Sequence, residues 1–249
     1  MVDYEIKDDW YREGFNSLYP IVYGHRTVEA ARPEAAFAAK HLRLTAQHRL
    51  LDVGCGNGRH MIHLQGHTPS VVGLDYSPDL LALARQTLGQ DARLVRADMR
   101  AIPFWSCFDA VVNFFTSFGY FTSMEDNRRV VRQIAQALKP SGRFLVDYFN
   151  APFVKAALVG ESVRMANGYT IREHRWIDRQ TRRVNKTTEV LKDEILVGRW
   201  SESVRLYEEA QFRALLASGG LTVEHIFGDF TGAPLSDIQP RMIAVGRKG

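Results

Sequence analysis

Up to about Asn150, apolar residues alternate between short unbroken runs and runs at helical spacing, the pattern of strands covered on both faces by helices. Arg49-Leu50-Leu51-Asp52-Val53 is the first such strand. A glycine turn from Gly54 to Gly58 follows it, then a helix from Arg59 to Gln65 that Gly66 stops. Val71 to Asp75 is a second strand. Ser77 caps the next helix, with Pro78 in its first turn and Asp79 near the positive end of its dipole. Leu94 to Ala97 and Ala110 to Phe114 read as strands three and four. A Thr122-x-x-Glu125 capping box then opens a helix with Val130, Val131, Ile134 and Leu138 on one face. After the turn Lys139-Pro140-Ser141-Gly142, Arg143 to Tyr148 is a fifth strand. A further helix, Pro33 to Leu42, precedes them all. Strand and helix in alternation predict an α/β fold with a doubly wound, mainly parallel sheet.

From about Gly160 to Leu206 the period shortens to two, as in Tyr169-Thr170-Ile171-Arg172-Glu173-His174-Arg175-Trp176, with turn signals at Asn167-Gly168 and around Gly198. This predicts an antiparallel β insertion. Glu208 to Ser218 is a helix closed by Gly219-Gly220, and Thr222 to Phe227 and Met242 to Val245 are two closing strands. The chain thus divides into an N-terminal segment and ligand-binding core over 1–159, the insertion over 160–206 and a completion of the core sheet over 207–249.

A chain of 249 residues, 45% of them hydrophobic, can bury a sizeable core. Its formal charge of +4 comes from basic residues intermingled with acids, so no nucleic-acid partner is expected. The charged start, Met1 to Trp10, lacks a signal-peptide core and no later run approaches a membrane span, so the expectation is a cytoplasmic protein with no membrane partner. Cys55 and Cys107 have no metal-ligand spacing and are read as reduced.

Gly54, Gly56 and Gly58 let the backbone approach a ligand closely at the carboxyl end of the first strand, the usual crevice of open α/β sheets. The dinucleotide fingerprint would need a glycine where Arg59 stands, so that register fails. Asp52, two residues ahead of the first glycine, would repel a pyrophosphate and favours a cationic group. Asp75 ends the second strand, where an acid accepts from both ribose hydroxyls. Asp98 follows the third, where it accepts from an exocyclic adenine amine beside the Met99 backbone. Three acids at successive strand ends describe an adenosine joined to something positive.

On these residues the chain resembles the class I S-adenosylmethionine (SAM)-dependent methyltransferases, along nearly its whole length. The first motif of that family matches Leu51 to Gly58, its ribose acid matches Asp75 in Gly73-Leu74-Asp75-Tyr76-Ser77, and its adenine acid matches Asp98 in Ala97-Asp98-Met99. Phe108-Asp109-Ala110-Val111-Val112-Asn113-Phe114 looks like the fourth motif. The resemblance implies a Rossmann-like, seven-stranded methyltransferase sheet with SAM as cofactor and S-adenosylhomocysteine (SAH) as product. It adds Tyr76, Asn113 and Phe114 to the cofactor contacts. It also makes the aromatic stretch Tyr11, Phe15, Tyr19, Tyr23 a lid over the cofactor, with Tyr23 facing the methionine part and Arg26 pairing with a carboxylate of cofactor or substrate. A narrower likeness, to bacterial small-molecule methyltransferases of the glycine or sugar-amine type, rests on the insertion, on Phe118-Gly119-Tyr120-Phe121 and on Arg205-Leu206-Tyr207.

Methyl transfer from a sulfonium is an in-line displacement that depends chiefly on alignment and exclusion of water. If the acceptor carries a proton, His60, Tyr120, Asp147, Tyr148 and Tyr207 are candidates to take or relay it, and no sequence feature chooses among them. A metal-dependent enzyme of this fold should gather acids near the fifth strand, where only Asp147 and Asn150 stand, so no metal is expected. The expected activity is methylation of N or O on a small-molecule acceptor. The alternatives are an RNA or protein methyltransferase using the basic run Arg179 to Lys186, and a SAM-binding module without catalysis. An exposed insertion also makes a homodimer conceivable.

Overall fold

The computed structural model describes residues 6–249; the first five residues of the charged start lie outside the described residues. Seven strands form the main sheet: β1 (Arg49–Val53), β2 (Ser70–Asp75), β3 (Arg93–Arg96), β4 (Phe108–Asn113), β5 (Leu138–Phe149), β10 (Leu221–Phe227) and β11 (Arg241–Lys248). Their spatial order is β10-β11-β5-β4-β1-β2-β3, with β11 antiparallel to both of its neighbours and the first five strands parallel. The order reverses at β1 and β4, so the crevice of the sheet opens there.

Two faces follow from the period of two along each strand. On β1, Leu51 and Val53 point into a core with α6 (Met124–Ala137) and α8 (Glu209–Ser218), through Val130, Ile134, Phe212 and Leu215. Leu50 points the other way, into a core with α3 (Val28–Leu42) and α4 (Met61–Leu64). α5 (Pro78–Leu88) begins as expected, with Ser77 Oγ accepting from the Leu80 amide.

Several element ends differ from the sequence expectation for local reasons. α3 starts at Val28, five residues before Pro33, because Thr27 Oγ1 accepts from the Ala30 amide and caps it. α6 is capped by Ser123, which accepts from the Glu125 and Asp126 amides, whereas the Thr122 hydroxyl donates to Asp8. Pairing of Leu138 with Phe108 starts β5 before the Lys139–Gly142 turn, which bulges out before Arg143 rejoins at Ala110.

The insertion is a four-stranded antiparallel sheet of β6 (Glu161–Ala166), β7 (Tyr169–Asp178), β8 (Arg183–Lys192) and β9 (Ile195–Arg205). Asn167 and Gly168, both at positive φ, make the first hairpin turn. The last turn is at Asp193-Glu194, also both at positive φ, and not around Gly198, which lies within β9 opposite Val190. The short helices α1 (Tyr11–Gly14) and α2 (Tyr19–Val22) run between the two sheets, and Val22 and Tyr23 pack with Ile171, Val190 and Trp200 of the insertion. α7 (Ala151–Ala157) leads from β5 into the insertion. Among the described residues no helix is long and apolar enough to cross a membrane.

Candidate active site

Two adjoining cavities open at the carboxyl ends of β1 and β4. The first, of about 620 Å³, is lined by Gly54, Gly56, Asp75, Tyr76, Asp98 and Met99 from the core and by Tyr11, Phe15 and Tyr19 from the N-terminal segment. Ser117, Tyr120 and Phe121 of the loop after β4 complete it. Gly54 sits at φ +75°, and a Cβ there would lie 2.7 Å from the Cβ of Ser117, so a side chain would collide with the cavity wall.

Asp75 holds this turn as well as facing the cavity. Its Oδ2 accepts from the Gly56 amide at 2.8 Å and its Oδ1 from the Ser77 amide at 2.9 Å, and each oxygen keeps a further lone pair for a ligand hydroxyl. Burial raises its pKa, against the pull of these amides. Asp98 is more heavily engaged. Arg100 binds both its oxygens, through Nη2 at 2.7 Å and Nε at 3.1 and 3.2 Å, and holds it below the ordinary carboxylate value in spite of partial burial. The same guanidinium donates to the Tyr11 hydroxyl at 3.0 Å, so one side chain fixes an acid and an aromatic of the cavity wall.

Other sequence candidates lie away from this wall. Asp52 points to the α3 and α4 side, as its register with Leu50 requires, and both carboxylate oxygens are buried without a hydrogen-bond partner. Burial first, and then Asp75, push its pKa up to about 7, with Arg59 opposing. Gly58 packs under α5, where a Cβ would meet Leu88, and so supports the turn from behind. Asn113 ties strand ends together, donating to the Val53 and Ser117 carbonyls at 2.7 and 3.0 Å, and Phe114 is buried in the α3 core. Asn113, the last residue of β4, and Phe114 after it do not line the first cavity, which Ser117, Tyr120 and Phe121 reach instead.

The proton-handling candidates separate equally clearly. Only Tyr120 reaches the cavities, and burial raises its hydroxyl pKa. His60 is buried, stacked on Phe114 at 4.0 Å between centroids, and 2.6 Å from Glu34 Oε2; burial lowers its pKa to about 4. Tyr207 lies in the core against Phe118 and Tyr148, its pKa pushed by burial to about 12. Tyr148 donates to the Arg205 carbonyl at 2.5 Å, and Asp147 accepts from Arg241 and from the Phe115 amide, both at 2.7 Å.

The second cavity, of about 890 Å³, shares Phe15, Tyr19, Ser117 and Tyr120 with the first. Its remaining wall includes Tyr23 and Arg26, Arg241 of β11, and Arg175, Lys186 and Glu202 of the insertion. Tyr23 thus faces away from the first cavity: its hydroxyl donates to Glu202 Oε1 at 2.6 Å and accepts from Lys186. Lys186 itself reaches Glu202 at 2.7 Å. Arg26 lies over the rings of Tyr23 and Phe115, at 4.2 and 4.1 Å. Glu202, Lys186 and Arg241 carry no motif; only the strand register and the docking of the insertion bring them here.

A mainly parallel sheet whose first turn borders a crevice, with acids at the next two strand ends and a second chamber alongside, suits a nucleoside cofactor next to a second substrate. The cradle around Gly54 and Gly56 and the free lone pairs of Asp75 fit the adenosine part of SAM. Residues 50–142 match the model of a methyltransferase domain. Over 202 residues, covering 75% of this chain and 80% of the relative, the sequence is 29% identical to a dTDP-3-amino-3,4,6-trideoxy-alpha-D-glucopyranose N,N-dimethyltransferase of Streptomyces venezuelae. It is also 29% identical over 232 residues, 87% of this chain and 89% of the relative, to a dTDP-3-amino-3,6-dideoxy-alpha-D-glucopyranose N,N-dimethyltransferase of Streptomyces fradiae. Among solved structures, the SAM-bound amino pentose methyltransferase CalS10 of Micromonospora echinaspora superposes with a TM-score of 0.67 at 26% identity, covering 92% of this chain and 96% of that one. Residues 50–142 thus carry a methyltransferase domain, and over nearly its whole length the chain is similar to SAM-dependent methyltransferases.

Proposed function

We propose that this SAM-dependent methyltransferase, which acts on N or O of a small molecule, methylates the nitrogen of an amino-sugar-like acceptor held in the second cavity. The observation that carries the reading is the wall common to both cavities: Phe15, Tyr19, Ser117 and Tyr120 line each of them, so an acceptor in one lies next to a cofactor in the other. The relatives that act on amino sugars support the choice of nitrogen.

SAM supplies an electrophilic methyl group with a neutral thioether as leaving group. The chain supplies position and a dry enclosure. Gly54, Gly56, Asp75 and Met99 hold the adenosine end, and Phe15, Tyr19 and Tyr120 close the apolar sides. Glu202 is the carboxylate on the second cavity wall, and the hydrogen bonds from Tyr23 and Lys186 both fall on its Oε1, leaving Oε2 for an N–H of the neutral acceptor amine. Burial and Lys186 oppose one another at Glu202, and the net effect lowers its pKa, so it remains ionised and orients the amine while the amine lone pair takes the methyl and the C–S bond breaks. The methylammonium gives up its proton to solvent when the product leaves.

The basic run Arg179 to Lys186 does not make a phosphate-binding stripe. Arg183 is buried and Lys186 turns into the cavity, which leaves Arg179 and Arg182 on the surface. Incubation with SAM and a panel of amino-sugar nucleotides, free amino sugars and hydroxylated analogues tests the assignment: SAH release and a mass gain of one methyl on nitrogen are expected. Methylation confined to hydroxyl acceptors would overturn it.

A further inference from the structure

We infer that Thr116 selects the acceptor by donating its hydroxyl proton to an oxygen on a carbon next to the one that bears the amine. The inference rests on the reading that the second cavity holds an amine acceptor.

Thr116 lines the second cavity and is only 8% exposed. Its Oγ1 accepts from the Phe149 amide at 3.0 Å and from Arg241 Nη2 at 3.1 Å. A hydroxyl has two acceptor sites and one donor. Both acceptor sites are therefore filled by the protein, and no group among the described residues takes the proton. With Phe149 and Arg241 approaching the oxygen from the protein side, the O–H is left to the cavity. A donor buried this deeply is rarely without a partner in a folded protein, so the proton calls for an acceptor on the ligand.

The backbone is committed to the same end. Thr116 stands at φ +61° and Phe115 before it at +60°, unfavourable for two consecutive side-chain-bearing residues and most of all for a β-branched one. Asp147 holds both there: its side chain accepts from the Phe115 amide at 2.7 Å and its carbonyl from the Thr116 amide at 2.9 Å. Arg241, which supplies one of the bonds to Oγ1, is itself fixed by Asp147 at 2.7 Å. Strain that is over-determined by its surroundings in this way clusters where proteins grip ligands. Here it delivers one hydroxyl proton to the cavity at a set position.

That position is close to the reaction. Ser117, the next residue, lines both cavities, so the Thr116 hydroxyl lies beside the boundary that the methyl group crosses. An oxygen within its reach belongs to a carbon near the amine, which makes the preferred acceptor a vicinal amino alcohol. The charge balance suits a neutral oxygen, because Arg241 is already paired with Asp147. An acceptor held at nitrogen by Glu202 and at oxygen by Thr116 has two fixed points. The amine lone pair then keeps one direction relative to the methyl group.

The test removes the oxygen from either partner. The amino sugar turned over best is compared with its analogues lacking one or the other hydroxyl next to the amine, starting from kanosamine and its dTDP derivative, which carry one on each side. The wild-type protein is expected to lose at least about tenfold in kcat/KM for one of the two analogues. Thr116→Val should lose a similar factor with the parent sugar and nothing further with that analogue, while Thr116→Ser keeps the wild-type preference. A side chain that merely supported the fold would lower turnover of all three sugars alike. Equal turnover of the three by the wild-type protein overturns the inference without reference to any variant, as does an equal loss for all three in Thr116→Val. Thr116→Ala replaces the valine variant if that one does not fold. Methylation of amines without turnover of any vicinal amino alcohol would also overturn the inference and leave amine methylation standing. Methylation of no amine at all would remove the amine reading, and this inference with it.

Discussion

Arg183 Nη2 donates to the carbonyl of Tyr120 at 2.7 Å, tying the first residue of β8 to a loop residue that walls both cavities. The same guanidinium reaches the carbonyls of Gly119 and Phe121 at 3.4 and 3.2 Å and is anchored in its own sheet by Ser203. Gly119 stands at φ +77° with the Tyr148 hydroxyl against it, so the loop is gripped from two sides. Arg183→Met strands buried carbonyls and should lower the free energy of unfolding by about 3 kcal/mol. Urea denaturation checks this, and Arg183→Lys should recover part of the loss. Because Tyr120 walls both cavities and Phe121 the first, KM should rise for SAM and for the acceptor alike. Unchanged KM values for both would mean that the loop is set by other contacts.

Asp75→Ala should weaken SAH binding more than about tenfold, since two charge-assisted hydrogen bonds to a ribose are lost at about 1.5 to 3 kcal/mol each. The structure adds a second route to the same loss, because the Gly56 and Ser77 amides also lose their acceptor. Asp75→Asn keeps one acceptor oxygen for these amides and should fall between the two. Unchanged affinity of Asp75→Ala in calorimetry would remove the ribose assignment.

Burial pushes the Asp52 pKa up to about 7. Although its side chain turns away from the cavity, a cationic ligand at the neighbouring turn should act through the low-dielectric interior to favour its ionised form and displace a proton at lower pH. SAM affinity is expected to fall as pH drops below about 7. Calorimetry in two buffers of different protonation enthalpy reads the released proton, and Asp52→Asn should abolish it. The ligand-free protein follows the opposite sign. A carboxyl raised in the folded state keeps a proton that the unfolded chain has already lost, so this group's contribution to stability declines as pH rises toward about 7 and levels off above it.

Tyr120→Phe should retain turnover within about threefold, because its raised hydroxyl pKa makes it a poor base and its ring is what closes the wall. Tyr120→Ala should lose more than about tenfold through misalignment of the two ligands. The pH–rate profile should show no limb from His60, whose replacement by Gln is expected to lower the melting temperature without changing turnover per folded molecule.

Local patterns made the core of this molecule legible: unbroken apolar runs mark β1, β2 and β4, and Gly54, Gly56, Asp75 and Asp98 follow from their positions at strand ends. Where one residue's orientation decides the role, sequence says less. Asp52 and Asn113 sit within a residue or two of the crevice, yet each turns inward with its strand. Ser123 rather than Thr122 caps α6 because the backbone enters the helix one residue later. The acceptor side was hardest to read. Lys186 and Glu202 face each other only because the Asp193-Glu194 turn sets the β8 and β9 register, and Arg241 meets Asp147 across a pair nearly a hundred residues apart in sequence.

The two cavities are furnished by different parts of the chain: glycines and acids of the main sheet on one side, strands of the insertion on the other, with four residues held in common. Substitutions on the cavity-facing side of β7, β8 and β9 can therefore alter which molecule is methylated while leaving the methyl donor's grip intact. Inheritance can act on the two halves at different rates, the donor half conserved and the acceptor half free to drift toward new metabolites, provided the shared wall stays in place.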